Sequence, residues 1–129
     1  IINFFKIRNL NPKDYLFIAS HEPCSLCLSA ITWGGFDNFY YLFPYEETES
    51  IFSISHDLKI LKEVFKIEKG EYSKNNSYWQ SYSIIENIKN LQNPEKDKLL
   101  LKIKEINKLY EDLSKNYQSS KNSNYIPLK

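Results

Sequence analysis

Tyr15-Leu16-Phe17-Ile18-Ala19-Ser20-His21-Glu22-Pro23-Cys24-Ser25-Leu26-Cys27-Leu28-Ser29-Ala30-Ile31-Thr32-Trp33-Gly34-Gly35-Phe36-Asp37-Asn38-Phe39-Tyr40-Tyr41-Leu42-Phe43 is the stretch that decides the reading of this chain. Each end is a short, continuous apolar run, Tyr15–Ala19 and Phe39–Phe43. Both runs are rich in β-formers and too short for helices, as expected of strands covered on both faces. Between them, Pro23 suits a first helical turn, where its missing N–H is not needed. Cys24 to Trp33 then predicts a short helix that Gly34-Gly35 ends. Strand, short helix and strand in so little chain predict a βαβ unit, with parallel strands and a right-handed crossover.

Upstream, residues 1–8 (Ile1, Ile2, Phe4, Phe5, Ile7) fit the end of an amphipathic helix, although the pattern alone also admits a strand. Asn11-Pro12 marks a turn. Downstream, Pro44 stops the second strand and Glu46–Ser53 predicts a polar loop. Ser55 caps a helix from His56 to about Lys66, with Leu58, Leu61, Val64 and Phe65 on one face. Lys69–Ser77 predicts a polar, mobile segment, and Tyr78–Leu91 a helix. Asn93-Pro94-Glu95 opens a further helix with Leu99, Ile103, Ile106, Tyr110, Leu113 and Tyr117 at alternating steps of four and three. The organisation expected is a unit over residues 1–92, a C-terminal helix over 93–118 packed on it, and a polar tail over 119–129.

The chain has 129 residues, 42% hydrophobic and 16% aromatic, so one folded domain with a real core is expected. No apolar run approaches the roughly 20 residues of a membrane helix. Ile1–Phe5 lacks the basic flank of a signal peptide, and the expected location is cytoplasmic. A net charge of +1 encodes no strong overall attraction to nucleic acid or membrane. Methionine is absent even at position 1, from which an N-terminal truncation is expected.

The chemistry lies in Cys24 and Cys27, the only two cysteines. They are one helical turn apart, so both sulfurs share a face. A helix N-terminus stabilises negative charge and is expected to favour thiolate, the form that binds metal. The position beyond a strand's carboxyl end is where open α/β sheets bind ligands. Three readings stand at this point: two cysteines that only pack, a thioredoxin-like redox pair, and part of a zinc site that needs further ligands.

Ser20-His21-Glu22-Pro23-Cys24-Ser25-Leu26-Cys27-Leu28-Ser29-Ala30-Ile31 resembles the Pro-Cys-x-x-Cys motif of the cytidine and deoxycytidylate deaminase superfamily. Its Glu-Pro-Cys-x-x-Cys-x-x-Ala-Ile form is most similar to the branch holding tRNA adenosine, guanine and deoxycytidylate deaminases. The match covers roughly residues 15–43. The resemblance implies an α/β fold, a three-layer αβα cytidine deaminase-like sheet, with a helical C-terminal extension. It implies zinc as cofactor, with Cys24 and Cys27 as two of three protein ligands and a water activated at the fourth position. The Cys24 backbone amide would orient that water, the Glu22 backbone carbonyl would receive the departing amino group, and the Glu22 side chain would be structural. The activity implied is hydrolytic deamination of a nucleobase, nucleoside or nucleotide.

One element of the family pattern is absent. The His-x-Glu that supplies the third ligand and the proton shuttle should precede Tyr15, and the chain contains none. It is expected just upstream of Ile1, with two further strands. The alternatives are a non-catalytic zinc-binding relative, or a site in which His21 or His56 substitutes. His21 is a candidate substrate contact beside a solvated-turn reading, and His56 a local hydrogen-bonding residue. Trp33 reads as core. Tyr45, Glu46 and Glu47 read as a solvated loop that could line a pocket. The near-neutral charge favours a small-molecule substrate over tRNA; a homo-oligomer and no membrane partner are expected.

Overall fold

A computed structural model describes residues 2–123, and the expected tail therefore lies outside the described residues from position 124 onward. Within them, α1 (Ile2–Arg8) leads through a 3-10 turn at Pro12–Asp14 to β1 (Phe17–His21). Next come α2 (Ser25–Gly34), β2 (Asn38–Phe43), α3 (Tyr45–Ser50) and α4 (His56–Phe65). After them come β3 (Gln80–Ser83), α5 (Ile84–Lys89) and the 26-residue α6 (Glu95–Ser120). The three strands form an open, wholly parallel sheet in the order β1-β2-β3. The molecule is thus mixed α/β with a long C-terminal helix. No helix among the described residues is long and apolar enough to cross a membrane.

Register sets where the strands end together. Phe17 pairs with Phe39 and His21 with Phe43, while Tyr41 pairs with Ser83. The carboxyl ends of all three strands therefore lie along one edge, from which α2, α3 and α5 depart. The α2 helix stops where Gly35 turns to φ +79° and donates to the Thr32 carbonyl. A left-handed residue here suits glycine, which has no Cβ to strain.

β2 is central and feeds two cores from its alternating faces. Phe39 and Tyr41 join Ile31, Phe36 and Trp79. Leu42 joins Phe52, Ile88 and Ile103, with Phe43 reaching the same cluster at the strand's end. Phe39, Phe43, Phe52 and Ile31 are essentially inaccessible to solvent, and each such burial is worth roughly 1.5–3 kcal/mol. Trp79 satisfies its indole N–H on Thr32 Oγ1 at 2.8 Å, tying β3's approach to α2.

Several expectations are corrected. Tyr15–Ala19 is not covered on both faces: Leu16 is 65% and Ile18 66% exposed, because β1 is an outer strand of this sheet. Trp33 is not core; it is 82% exposed on the outer face of α2. Glu46–Ser53 is not a loop: Tyr45–Ser50 is helical, with Glu46 and Glu47 in the first turn, where acids complement the dipole. Tyr78–Leu91 is not one helix. Tyr82 stacks on Tyr40 at 4.9 Å across neighbouring strands, so Gln80–Ser83 is drawn into the sheet, and the Ser83 hydroxyl then caps α5 by accepting from Glu86 N–H. Cross-strand packing overrides local propensity there.

The last turns of the chain's long helix also differ from the expected boundary. Ser119 and Ser120 continue α6, followed by a 3-10 turn at Lys121–Ser123. Of its apolar stripe, Ile103 is buried, Leu99, Ile106 and Tyr110 pack on the second core, and Leu113 is exposed. Ser55 makes no side-chain cap of α4. On that helix Leu61 is buried, whereas Val64 and Phe65 remain exposed.

Candidate functional site

The turn from β1 into α2 is fixed by one buried carboxylate. Glu22 accepts the Tyr45 N–H on Oε2 at 3.1 Å and the Tyr72 hydroxyl on Oε1 at 2.8 Å. Lys74 Nζ lies 3.0 Å from Oε1 and also donates to the Tyr41 hydroxyl at 2.9 Å. The Glu22 N–H donates to the Phe43 carbonyl, and the Tyr45 hydroxyl donates to the Pro23 carbonyl. Backbone on both sides of Glu22 is thereby anchored to β2 and α3. A buried carboxylate needs this many donors, because an unpaired one would cost several kcal/mol.

Lys69–Ser77, expected to be mobile and polar, thus supplies the inward-facing Tyr72 and Lys74. Gly70 makes that path possible. Its φ is +69°, and a Cβ there would lie 2.5 Å from the Tyr45 ring. Burial disfavours the charge on Lys74, but hydrogen bonds to Tyr41 and Glu22 outweigh it and raise the pKa. Burial, reinforced by the nearby Glu22 charge, pushes the hydroxyls of Tyr45 and Tyr72 far up.

Beyond this anchor, Cys24 caps α2 and Cys27 sits in its first turn. The Cys27 N–H donates to Cys24 Sγ at 3.4 Å, and the two sulfurs are 3.3 Å apart. Both thiols are free, Cys24 half-buried and Cys27 exposed. The expectation of a depressed thiol pKa is corrected for Cys27: burial, then the hydrogen bond and charge of Cys24, push it up to about 11. Two thiols this close cannot easily both ionise without a cation between them.

The thiols open on a cavity of about 450 Å³, within the range of small-molecule pockets. It is lined by the continuous run Phe17–Cys24, with Cys27 from α2 and Asp57 from α4. His21 reaches this cavity but its ring is held among Phe43, Phe52 and Tyr110, at centroid distances of 5.1–5.2 Å. Its Nδ1 lies 3.2 Å from Ser20 Oγ, and burial lowers its pKa. It is a packed strand-end residue rather than a solvated one. Tyr45 is buried behind the turn instead of lining the cavity, and Glu46 faces solvent.

Asp57 is the residue whose place in this cavity the sequence did not suggest. It lies in the first turn of α4, and burial raises its pKa while the neighbouring His56 charge lowers it. Nothing in the spacing links it to Cys24; only the packing of α4 against α2 does so.

The donor set fits half of a zinc centre. Two thiolates on tetrahedral zinc at ~2.3 Å stand about 3.8 Å apart, and the observed 3.3 Å needs only a small rotamer opening. A disulfide would require closure to about 2.0 Å. Among the described residues no third His, Cys, Asp or Glu is grouped with the pair to complete a metal site. No family model, curated protein or solved structure matches the chain.

Proposed function

We propose that Cys24 and Cys27 are two ligands of a catalytic zinc in a hydrolytic deaminase acting on a nucleobase, nucleoside or nucleotide, built on a cytidine deaminase-like αβα sheet. The observation that carries this reading is the convergence of two free thiols at a helix start, at the carboxyl edge of a parallel sheet, on a cavity of small-molecule size. The motif resemblance over residues 15–43 supplies the reaction class. Zinc would lower the pKa of a bound water so that it can attack the amino-bearing ring carbon.

The chain's own residues then have distinct tasks. The Glu22 carboxylate anchors the turn through Tyr45 and Tyr72, which would hold the Glu22 carbonyl and the Cys24 amide in place for the roles the resemblance implies. The proposal requires a third ligand and a proton-shuttling carboxylate from a His-x-Glu outside the described residues.

Metal analysis of the purified full-length protein tests the reading, with cobalt substitution as the optical probe. One metal per chain is expected, with thiolate-to-cobalt absorption that Cys24→Ser or Cys27→Ser removes. Metal-free protein whose cysteines oxidise reversibly to a disulfide would overturn it in favour of a thiol oxidoreductase. Zinc retained in a full-length protein whose encoded sequence has no His-x-Glu would instead indicate a non-catalytic relative.

A further inference from the structure

We infer that Tyr45 is a positioning residue for the proposed metal site: its hydroxyl fixes the Pro23–Cys24 peptide and so aims the Cys24 N–H at whatever occupies the metal's open position. The inference rests on the proposed function and adds a residue to it.

The planarity of one peptide carries the argument. The Tyr45 hydroxyl donates to the Pro23 carbonyl, the acceptor half of the peptide whose donor half is the Cys24 N–H. That peptide is trans, so its two groups point in opposite directions, and fixing one fixes the other. The Cys24 N–H is therefore turned away from Tyr45, which is only 2% exposed. Pro23 and Cys24 both line the thiol cavity. Among the described residues the Cys24 N–H donates to no backbone acceptor, and it belongs to the residue that carries one of the two sulfurs. An N–H held this way at a helix start is a fixed donor for an anion or a polarised water beside those sulfurs.

Tyr45 can act so because it is itself held. It opens α3 directly after the central strand β2. Its N–H donates to Glu22 Oε2 at 3.1 Å, and its ring stands edge-on to Tyr72 at 6.2 Å. Gly70 presses on the same ring, close enough that a Cβ there would lie 2.5 Å from it. Donation to the Pro23 carbonyl also polarises the peptide, which strengthens the N–H on its other side.

Azide binding to the cobalt-loaded full-length protein reads the aim of this N–H, because azide is an anion that takes a metal's open position. Tyr45→Phe keeps the ring and removes only the hydroxyl. It is expected to retain stoichiometric cobalt with its thiolate absorption. Its azide affinity is expected to fall about five- to tenfold, the loss of a well-aimed hydrogen bond to an anion. Thr32→Val, destabilised through its contact with Trp79, is expected to keep the native azide affinity and so controls for stability alone. In the native zinc-loaded protein, azide should move the Cys24 amide proton resonance downfield, a measurement that needs no variant. The inference is overturned by a native azide affinity in Tyr45→Phe, by an equal loss in Thr32→Val, or by a Cys24 amide resonance that azide leaves in place. Each of these results, obtained with metal bound, leaves the deaminase reading standing. Native full-length protein that takes up no metal defeats that reading itself.

Discussion

Replacing Glu22 tests the idea that one buried carboxylate organises the candidate site. In Glu22→Ala, the Tyr45 N–H and the Tyr72 hydroxyl lose a charged acceptor. Hydrogen bonds to charged groups are worth about 1.5–3 kcal/mol each. The Lys74 pair adds little, because the Lys74 side chain is 47% exposed and screened by solvent. Removing the carboxylate also relieves its own desolvation, so the lower part of the summed range applies, about 3–5 kcal/mol. Against a domain stability of about 5–15 kcal/mol, that is a large loss. Glu22→Gln is no substitute: with oxygen kept at the Oε1 position, its NH₂ faces the Tyr45 N–H, and flipped, it faces Lys74. A loss of about 2 kcal/mol is expected for it. Urea unfolding at neutral pH measures both variants through the midpoint at constant slope. A double-mutant cycle of Glu22→Gln with Tyr72→Phe should show coupling above ~0.5 kcal/mol. A Glu22→Ala variant that loses less than ~1 kcal/mol would refute the reasoning.

Alkaline pH should weaken the fold in a predictable direction. Lys74, Tyr45 and Tyr72 all have raised folded pKa values, so their contribution is complete below the unfolded values of about 10 and is lost as pH rises through the folded ones. Denaturant midpoints measured from pH 8 to 11.5 should fall steeply only above about pH 10, and a flat profile would contradict the network. Gly70→Ala should cost about 2–3 kcal/mol, from the left-handed backbone and the 2.5 Å approach to Tyr45; a melting temperature unchanged within error would show that the 69–77 segment is not packed on α3. Thr32→Val removes the acceptor of the Trp79 indole at 2.8 Å and should cost about 1–2 kcal/mol, with a shift in tryptophan emission as the accompanying readout.

The βαβ unit was legible because its signals are local. Two short β-rich runs, a first-turn proline and a double glycine bound the segment, and the parallel register follows from the short crossover. The thiol pair was legible for the same reason, since i and i+3 on a helix share a face wherever that helix goes. What escaped was set by distant partners. Tyr78–Ser83 carries aromatic residues that fit helix or strand, and only Tyr40 across the sheet decides between them. Lys69–Ser77 reads as solvated until the buried Glu22 is there to draw in Tyr72 and Lys74. Trp33 and Ile18 read as core because residue type reports hydrophobicity, not which neighbours are at hand. Asp57 was not legible as a cavity residue, because no spacing rule joins the start of α4 to the start of α2. The raised Cys27 pKa likewise depends on a neighbour's distance that the motif does not state.

Near its end, α6 reaches back to the turn before α4. The Ser114 hydroxyl donates to the Phe52 carbonyl at 2.6 Å, and the Gln118 amide donates to the Ser53 carbonyl at 3.1 Å. Ser53 itself holds φ +55°, a conformation that costs a non-glycine residue energy and must be secured from outside. The last turns of α6 therefore act as a clasp on the segment that leads into α4 and Asp57. Trimming the protein back past Gln118 would free that clasp and let the start of α4 drift, even though every residue of the cavity remained.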